Sequence, residues 1–280
     1  MKLTLRTPIV MALFGFFLAS PAFAGERDFI LYAPGVGGTA DTARPFIDAF
    51  SRYLEKERGW PARSSNGIYI EDAREAARAI VERKPGFGLI PAWLDLELSC
   101  GKDAPQPVAA VDGIAGMSSA VRFHVVVKRG GPKTLAELKG KTLVSNHLEN
   151  HKYVSRVLFG GKVDIDTFFK IKETKSPVRP FTNLISGEAD AALVSDDQLK
   201  NKPAELDLVT LFSSEPQAPF PLVAFPAQVK PAERDAVQKV LVAMCSTPAG
   251  AKICSSLQIS RFVPLDAGAY QGAVQLYCKQ

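Results

Sequence analysis

The sequence predicts an α/β protein of two lobes, and three observations carry the prediction. Helical and strand signals alternate along nearly the whole chain. Two stretches, Lys133 to His151 and Leu184 to Asp197, each run from a helix end through a short buried strand onto a polar helix start, where open α/β sheets place ligands. Removing the first 24 residues from the 280 leaves 256, room for two medium domains at about 100 to 200 residues each.

The elements can be justified in order. Lys2 and Arg6, an apolar run from Ile9 to Leu18, and Ala22-Phe23-Ala24 make a secretory signal peptide over residues 1–24, with cleavage before Gly25. The apolar run falls short of the roughly 20 residues of a membrane span, so the mature chain is expected to be soluble. A Gly at the cut, where a lipid anchor needs Cys, argues against a lipoprotein. Asp28 to Ala33 reads as a strand that enters the glycine-rich turn Pro34 to Thr39 and then an amphipathic helix from about Asp41 to Arg58. The turn lacks the Lys-Ser/Thr of a nucleotide loop, so Gly37 and Gly38 serve backbone freedom. A strand near Ser64 to Tyr69, a helix from Glu71 to Arg83 and a strand from Gly86 to Ile90 follow, the last stopping at Pro91-Ala92-Trp93. Val108 to Val111 and the Val-rich Arg122 to Lys128 are further strands, the second buried on both faces.

In the central stretch Thr134 caps a turn whose Leu135 and Leu138 fall at helical spacing, and Gly140 ends it in a left-handed conformation. Thr142 to Val144 is a strand. Asn146 followed by Glu149 reads as a capping box, opening a helix immediately after that strand. In the companion stretch Gly187 ends a helix, and a small strand stops on Ser195-Asp196-Asp197.

The net charge of +5 includes the two signal-peptide positives, and Lys and Arg alternate with Asp and Glu elsewhere. No basic tract marks a nucleic-acid surface. All four cysteines, Cys100, Cys245, Cys254 and Cys278, lie in the exported part, where an even number points to disulfides in one of 3 pairings. Cys245 ends one helical segment and Cys254 lies a turn into the next, with Ser246-Thr247-Pro248 as the cap between them. That favours the local pair, and Cys100 with Cys278 follows by elimination. Buried free thiols are the competing reading; no CxxC spacing supports a metal.

Four stretches carry a family resemblance: PFIDAFSRYLEKERGW at 45–60, HVVVKRGGPKTLAELKGKTLV at 124–144, LISGEADAALVSD at 184–196 and AGAKICSSLQISRFVPLDAGAY at 249–270. From Tyr32 to Tyr270 the chain resembles the phosphate/phosphonate-type periplasmic substrate-binding proteins of ABC transporters. The resemblance implies the type II periplasmic binding protein fold, each lobe a mixed sheet flanked by helices, with two hinge crossings. It implies a first lobe from residues 25–121 and 219–280, and a second from 122–218. It also implies an interlobe cleft for a small polar or anionic, phosphate- or phosphonate-like solute, a membrane permease as partner, a monomer, and no cofactor.

The chain departs from that family at the helix start after the LKGK strand. In place of small hydroxyl residues it has Ser145-Asn146-His147-Leu148-Glu149-Asn150-His151. A Glu in the first helical turn repels a phosphate brought there, by about 0.3 to 1 kcal/mol at the dipole end. A solute offering hydrogen-bond donors to Glu149 and Asn150 is therefore expected to outcompete inorganic phosphate.

The candidate ligand residues are Tyr32, Trp93, Arg122, Ser145, Asn146, His147, Glu149, Asn150, Ser176, Ser195 and Asp196. The resemblance places ligand-contacting aromatics at Tyr32 and Trp93, which would otherwise be core. Ser176 before Pro177 reads as N-cap and N1, with Arg122 at the first crossing. His147 and His151 are a turn apart, but two ligands are no metal site and the spacing is not HExxH. Ser, His and Asp occur without a GxSxG elbow, so no catalytic residue is assigned. Binding without chemistry is the expected mechanism. A ligand-sensing module without a transporter shares every one of these features.

Overall fold

The computed structural model describes residues 25–34 and 39–279. The signal peptide at 1–24 and the turn glycines Gly37 and Gly38 lie outside those residues. The chain begins with β1 (Phe29–Leu31) and α1 (Ala40–Arg58), which starts on a capping box between Thr39 and Thr42 and buries Ile47, Phe50, Tyr53 and Leu54. There follow β2 (Gly67–Tyr69), α2 (Ala73–Arg83), β3 (Phe87–Leu89), α3 (Ala92–Ser99) and β4 (Gln106–Asp112). The chain then crosses to β5 (Phe123–Lys128), β6 (Thr142–Ser145) and α4 (His151–Tyr153), which continues as a π-helical turn over Val154–Leu158. Next come α5 (Ile165–Phe168), β7 (Lys170–Glu173), α6 (Arg179–Ser186), β8 (Ala191–Ser195), α7 (Asp196–Lys200) and β9 (Leu208–Ser213). It returns through β10 (Pro221–Ala224), α8 (Pro231–Met244), α9 (Pro248–Ser256), β11 (Arg261–Val263) and α10 (Ala267–Cys278).

Two mixed sheets result. One has the order β11-β4-β10-β3-β1-β2, with β1 parallel to β2 and β3; the other has the order β7-β6-β8-β5-β9, with β6 parallel to β7 and β8. The sheets exchange the chain twice. The two crossings pair with each other through Val121 and Gln217, whose backbones exchange two hydrogen bonds of 2.8 Å. This is the two-lobed type II periplasmic binding protein architecture.

Local signals explain why the helical turns before β6 and β8 stop where they do. Gly140 and Gly187 take φ of 74° and 75°, the left-handed conformation glycine reaches without strain. Val125, Val126 and Val127 are buried on alternating faces of β5, packing into the two cores on either side of the second sheet. Leu96 of α3 and Ala273 and Tyr277 of α10 join the core beside β5 and β6, so two helices of the first lobe brace the second. Both disulfides are present, Cys100–Cys278 and Cys245–Cys254. No helix among the described residues is long and apolar enough to cross a membrane.

Candidate functional site

Between the sheets lies a cleft of about 770 Å³. Its walls are the carboxyl ends of six parallel strands, because each of those strands hands the chain to a loop or helix start at the same rim. From the first lobe, β1 delivers Tyr32, β2 delivers Glu71 and Asp72, and β3 delivers Pro91, Ala92 and Trp93. From the second, β6 delivers Asn146, His147, Glu149 and Asn150; β7 leads to Lys175 and Pro177; β8 ends on Ser195, followed by Asp197 and Gln198.

Gln198 organises the second wall. Its Oε1 accepts from the Ser195 backbone N–H (2.9 Å) and from His147 Nε2 (2.8 Å), while its Nε2 donates to Asn146 Oδ1 (2.9 Å) and the Pro177 carbonyl (2.8 Å). An amide oxygen cannot donate, so His147 carries its proton on Nε2 and leaves Nδ1 as an acceptor; Asn146 is likewise turned to leave its amide nitrogen free. Burial pushes the His147 pKa down to about 4, partly opposed by the Gln198 bond, so the ring is neutral at pH 7.

The first wall is aromatic. Tyr32 and Trp93 pack edge to face with centroids 6.3 Å apart, and Trp93 Nε1–H reaches across the cleft to Glu149 Oε2 at 3.3 Å. Burial raises the Glu149 pKa; the Trp93 bond opposes that, and Glu173 adds to it. The Tyr32 phenol is raised by burial first, then by Glu149 and Asp72. One ring thus feels carboxylates from both lobes.

Several expectations need correction. Asn146 and Glu149 do not form a capping box: α4 begins later, with Asn150 as its N-cap, accepting from the Tyr153 N–H at 2.7 Å and donating from Nδ2 to Tyr277 Oη at 3.3 Å. Asn150 lines the cleft with its side-chain bonds already committed. Glu149 turns instead to Trp93. Ser145 is buried, its hydroxyl donating to the Leu193 carbonyl at 2.6 Å and accepting from the His147 N–H at 3.0 Å, so it has no donor left for a solute. Ser176 is not an N-cap, because α6 starts at Arg179 after Val178; its hydroxyl accepts the Val178 N–H in a local turn at 3.4 Å. Arg122 stays at the crossing, donating from Nη1 to the Ser214 carbonyl at 2.9 Å, while its backbone N–H meets Asp196 Oδ2 at 2.9 Å. Asp196 also binds His124 Nε2 at 2.7 Å. Arg122, Ser145, Ser176 and Asp196 are therefore not among the residues that line the cleft. Ser195 does line it, with its Oγ capping the Gln198 N–H at 3.2 Å. His147 and His151 diverge, the second bound to Asp166 (2.5 Å) and Glu173 (3.2 Å).

Sequence reasoning passed over Asp72, Lys175 and Gln198. Ser195-Asp196-Asp197-Gln198 is itself a capping-box pattern, and Asp72 caps α2, so both were open to discovery. Lys175 sits in an irregular segment that carries no such signal.

A cleft between two lobes, with side chains of both in mutual reach, is where small-molecule sites preferentially form. The family model of the phosphonate ABC transporter periplasmic substrate-binding protein matches residues 39–270, and the chain belongs to that family. No curated protein matches. Among solved structures, the chain is similar to XAC2383 from Xanthomonas citri bound to ATP, with a TM-score of 0.66, 15% identity, and coverage of 90% of this chain and 96% of that one. It is also similar to PhnD1 from Prochlorococcus marinus in complex with methylphosphonate, with a TM-score of 0.58, 12% identity, and coverage of 90% and 97%. SsuA, the periplasmic aliphatic sulphonate binding protein of Escherichia coli, gives a TM-score of 0.51 and 14% identity over 91% and 86%. At these identities the likeness concerns the fold.

Proposed function

We propose that the protein captures a small polar solute in the interlobe cleft and presents the closed form to an ABC permease. The lobes in this reading are residues 25–121 with 219–280, and 122–218; the chain works as a monomer and performs no chemistry on the solute. The contact from Trp93 to Glu149 carries the proposal, because a first-lobe indole and a second-lobe carboxylate already meet across the opening. A solute contacting both walls has more partners in the closed state than in the open one, so binding shifts the population toward closure. Tyr32, Trp93, Asn146, His147, Glu149 and Ser195 are the retained contact residues, joined by Asp72 and Lys175. Family membership and the phosphonate- and sulphonate-binding neighbours support a phosphonate- or sulphonate-like solute frame. The test is small-angle scattering on the protein with a calorimetrically verified ligand. Compaction relative to the ligand-free protein is expected, and an unchanged radius with the site filled overturns the closure mechanism.

A further inference from the structure

A second cavity, of about 640 Å³, shares only Ala92 with the lining of the solute cleft. It lies where the chain crosses between the sheets. Ser119 and Ala120 of the first crossing and Gln217 and Ala218 of the second border it, together with α3 and α10 of the first lobe and Phe159 and Phe212 of the second. An occupant there touches both lobes and both crossings.

Among the described residues lining this cavity, Asp95 is the one carboxylate out of contact with solvent; Lys162, Glu215 and Asp266, the other charged residues, are exposed. Asp95 Oδ1 accepts from Tyr270 Oη at 3.1 Å, and that hydroxyl accepts in turn from Ser99 Oγ at 3.0 Å. Its Oδ2 is buried with no hydrogen-bond partner among the described residues. The desolvation of that oxygen is uncompensated, so a group that bonds it gains more than it would on a hydrated surface. Around it the wall is apolar. Ala92 lies one turn before Asp95 on α3 and Ala273 one turn after Tyr270 on α10, while Leu96 and Ala273 pack in one core with Leu158 and Phe159. One helical turn separates side chains by about 5 to 6 Å, so Ala92, Leu96 and Ala273 fall within the span of a single ring placed at the bond from Tyr270 to Asp95. Burial pushes the Asp95 carboxyl up to about 7, so both of its forms are populated at neutral pH. A hydroxyl suits both, donating to the carboxylate or accepting from the acid; an ammonium suits only the first and a carboxylate only the second.

We propose that this cavity is a second ligand site, for a small uncharged apolar molecule bearing one hydroxyl group, with the hydroxyl on Asp95 Oδ2 and the apolar body against Ala92, Leu96 and Ala273. Because its walls belong to both lobes and both crossings, its occupancy is linked to the lobe angle, and the occupant favours whichever arrangement it binds better.

The experiment compares p-cresol and p-xylene, which differ only by OH against CH3, by calorimetry at pH 7. The cresol is expected to bind about tenfold tighter, and at saturation to change the radius of gyration in small-angle scattering. Two variants locate the site, with melting temperature as the check that each folds. Asp95→Leu should erase the preference for the hydroxyl. Gly272→Leu, on α10 where an added Cβ meets nothing within 4 Å, should weaken both probes by filling the cavity, and it decides alone if Asp95→Leu does not fold. Absence of cresol binding, equal binding of the two probes, or cresol binding unmoved in the folded variants overturns the site and leaves the solute cleft as it was. Binding with an unchanged radius of gyration overturns the link to the lobes.

Discussion

The two walls of the cleft are held in place by different means. Both disulfides lie in the first lobe. Cys100–Cys278 joins the end of α3, the helix whose first turn carries Trp93, to the end of α10, and Cys245–Cys254 joins α8 to α9. The second lobe has no covalent staple among its described residues, and its wall depends on the four hydrogen bonds of Gln198. The difference separates two tasks. The first wall is a rigid aromatic platform, while the second fixes the protonation and orientation of the polar groups a solute meets. Tyr277 links them, with its hydroxyl on Asn150 and its carbonyl accepting from Arg156 at 3.1 Å.

Removing staples should expose the contrast most strongly. The Cys100–Cys278 link spans 178 residues and Cys245–Cys254 spans 9. Loop-closure entropy assigns them about 5 and about 3 kcal/mol. Urea unfolding of the Cys100→Ser/Cys278→Ser and Cys245→Ser/Cys254→Ser variants should follow that order. A greater loss from the short link would break the idea that the long one anchors the platform.

Each lobe also buries a titratable group, Asp95 in the first and His147 in the second, and the pH effects of these two run in opposite directions. Asp95 of α3 is fully buried; Tyr270 Oη donates to its Oδ1 at 3.1 Å and its Oδ2 has no partner. Burial pushes its carboxyl up to about 7 from 3.8, so the folded state keeps a proton that the unfolded chain releases. Stability from this group is full below about pH 4 and is lost as pH rises toward 7, a total of roughly 4 kcal/mol as an upper bound. His147, pushed down to about 4, destabilises the fold as pH falls from about 6.5, at roughly 1.4 kcal/mol per pH unit. The slopes oppose one another between about pH 4 and 6.5. Asp95→Asn keeps the acceptor for Tyr270 and removes one slope, so its stability should climb with pH over that window and exceed the wild type most at pH 8. Parallel curves for the two proteins would refute the assignment.

Gln198→Ala tests the second wall directly. It leaves the His147 Nε2–H, the Ser195 N–H and the Asn146 carbonyl without their partner, at about 1 to 3 kcal/mol. Nitrogen-resolved NMR should show the His147 ring losing its single tautomer. A ring that keeps Nε2–H in the variant would mean that Gln198 does not set it.

Much of this architecture was readable along the chain, because its punctuation is local: Gly140 and Gly187 end their elements, and Thr39 and Asp72 start theirs. The local disulfide was readable for the same reason. What was not readable depended on partners far away in sequence. Asn146 and Asn150 are both competent caps, and the choice falls to Asn150 because Asn146 is engaged by Gln198, 52 residues on. Arg122 looked like a cleft cation, yet the neighbouring strand end supplies Ser214 and Glu215 as its partners. Strand periodicity tells which residues alternate, not which face meets the opening.

The smallest expected effect concerns Glu149 in the ligand-free protein. Its folded pKa is raised, chiefly by burial, so the apo protein pays for the charged form as pH rises through that value. Glu149→Gln removes the charge while its amide oxygen keeps an acceptor for Trp93. The group is open to cleft water, which screens the penalty, so the gain at pH 7 should be a fraction of a kcal/mol. It should shrink as pH falls and the wild-type carboxyl protonates. Thermal unfolding of the two proteins from about pH 5 to pH 8 checks this. Melting temperatures that stay equal across that range would show that the Glu149 carboxylate meets no penalty in the empty cleft.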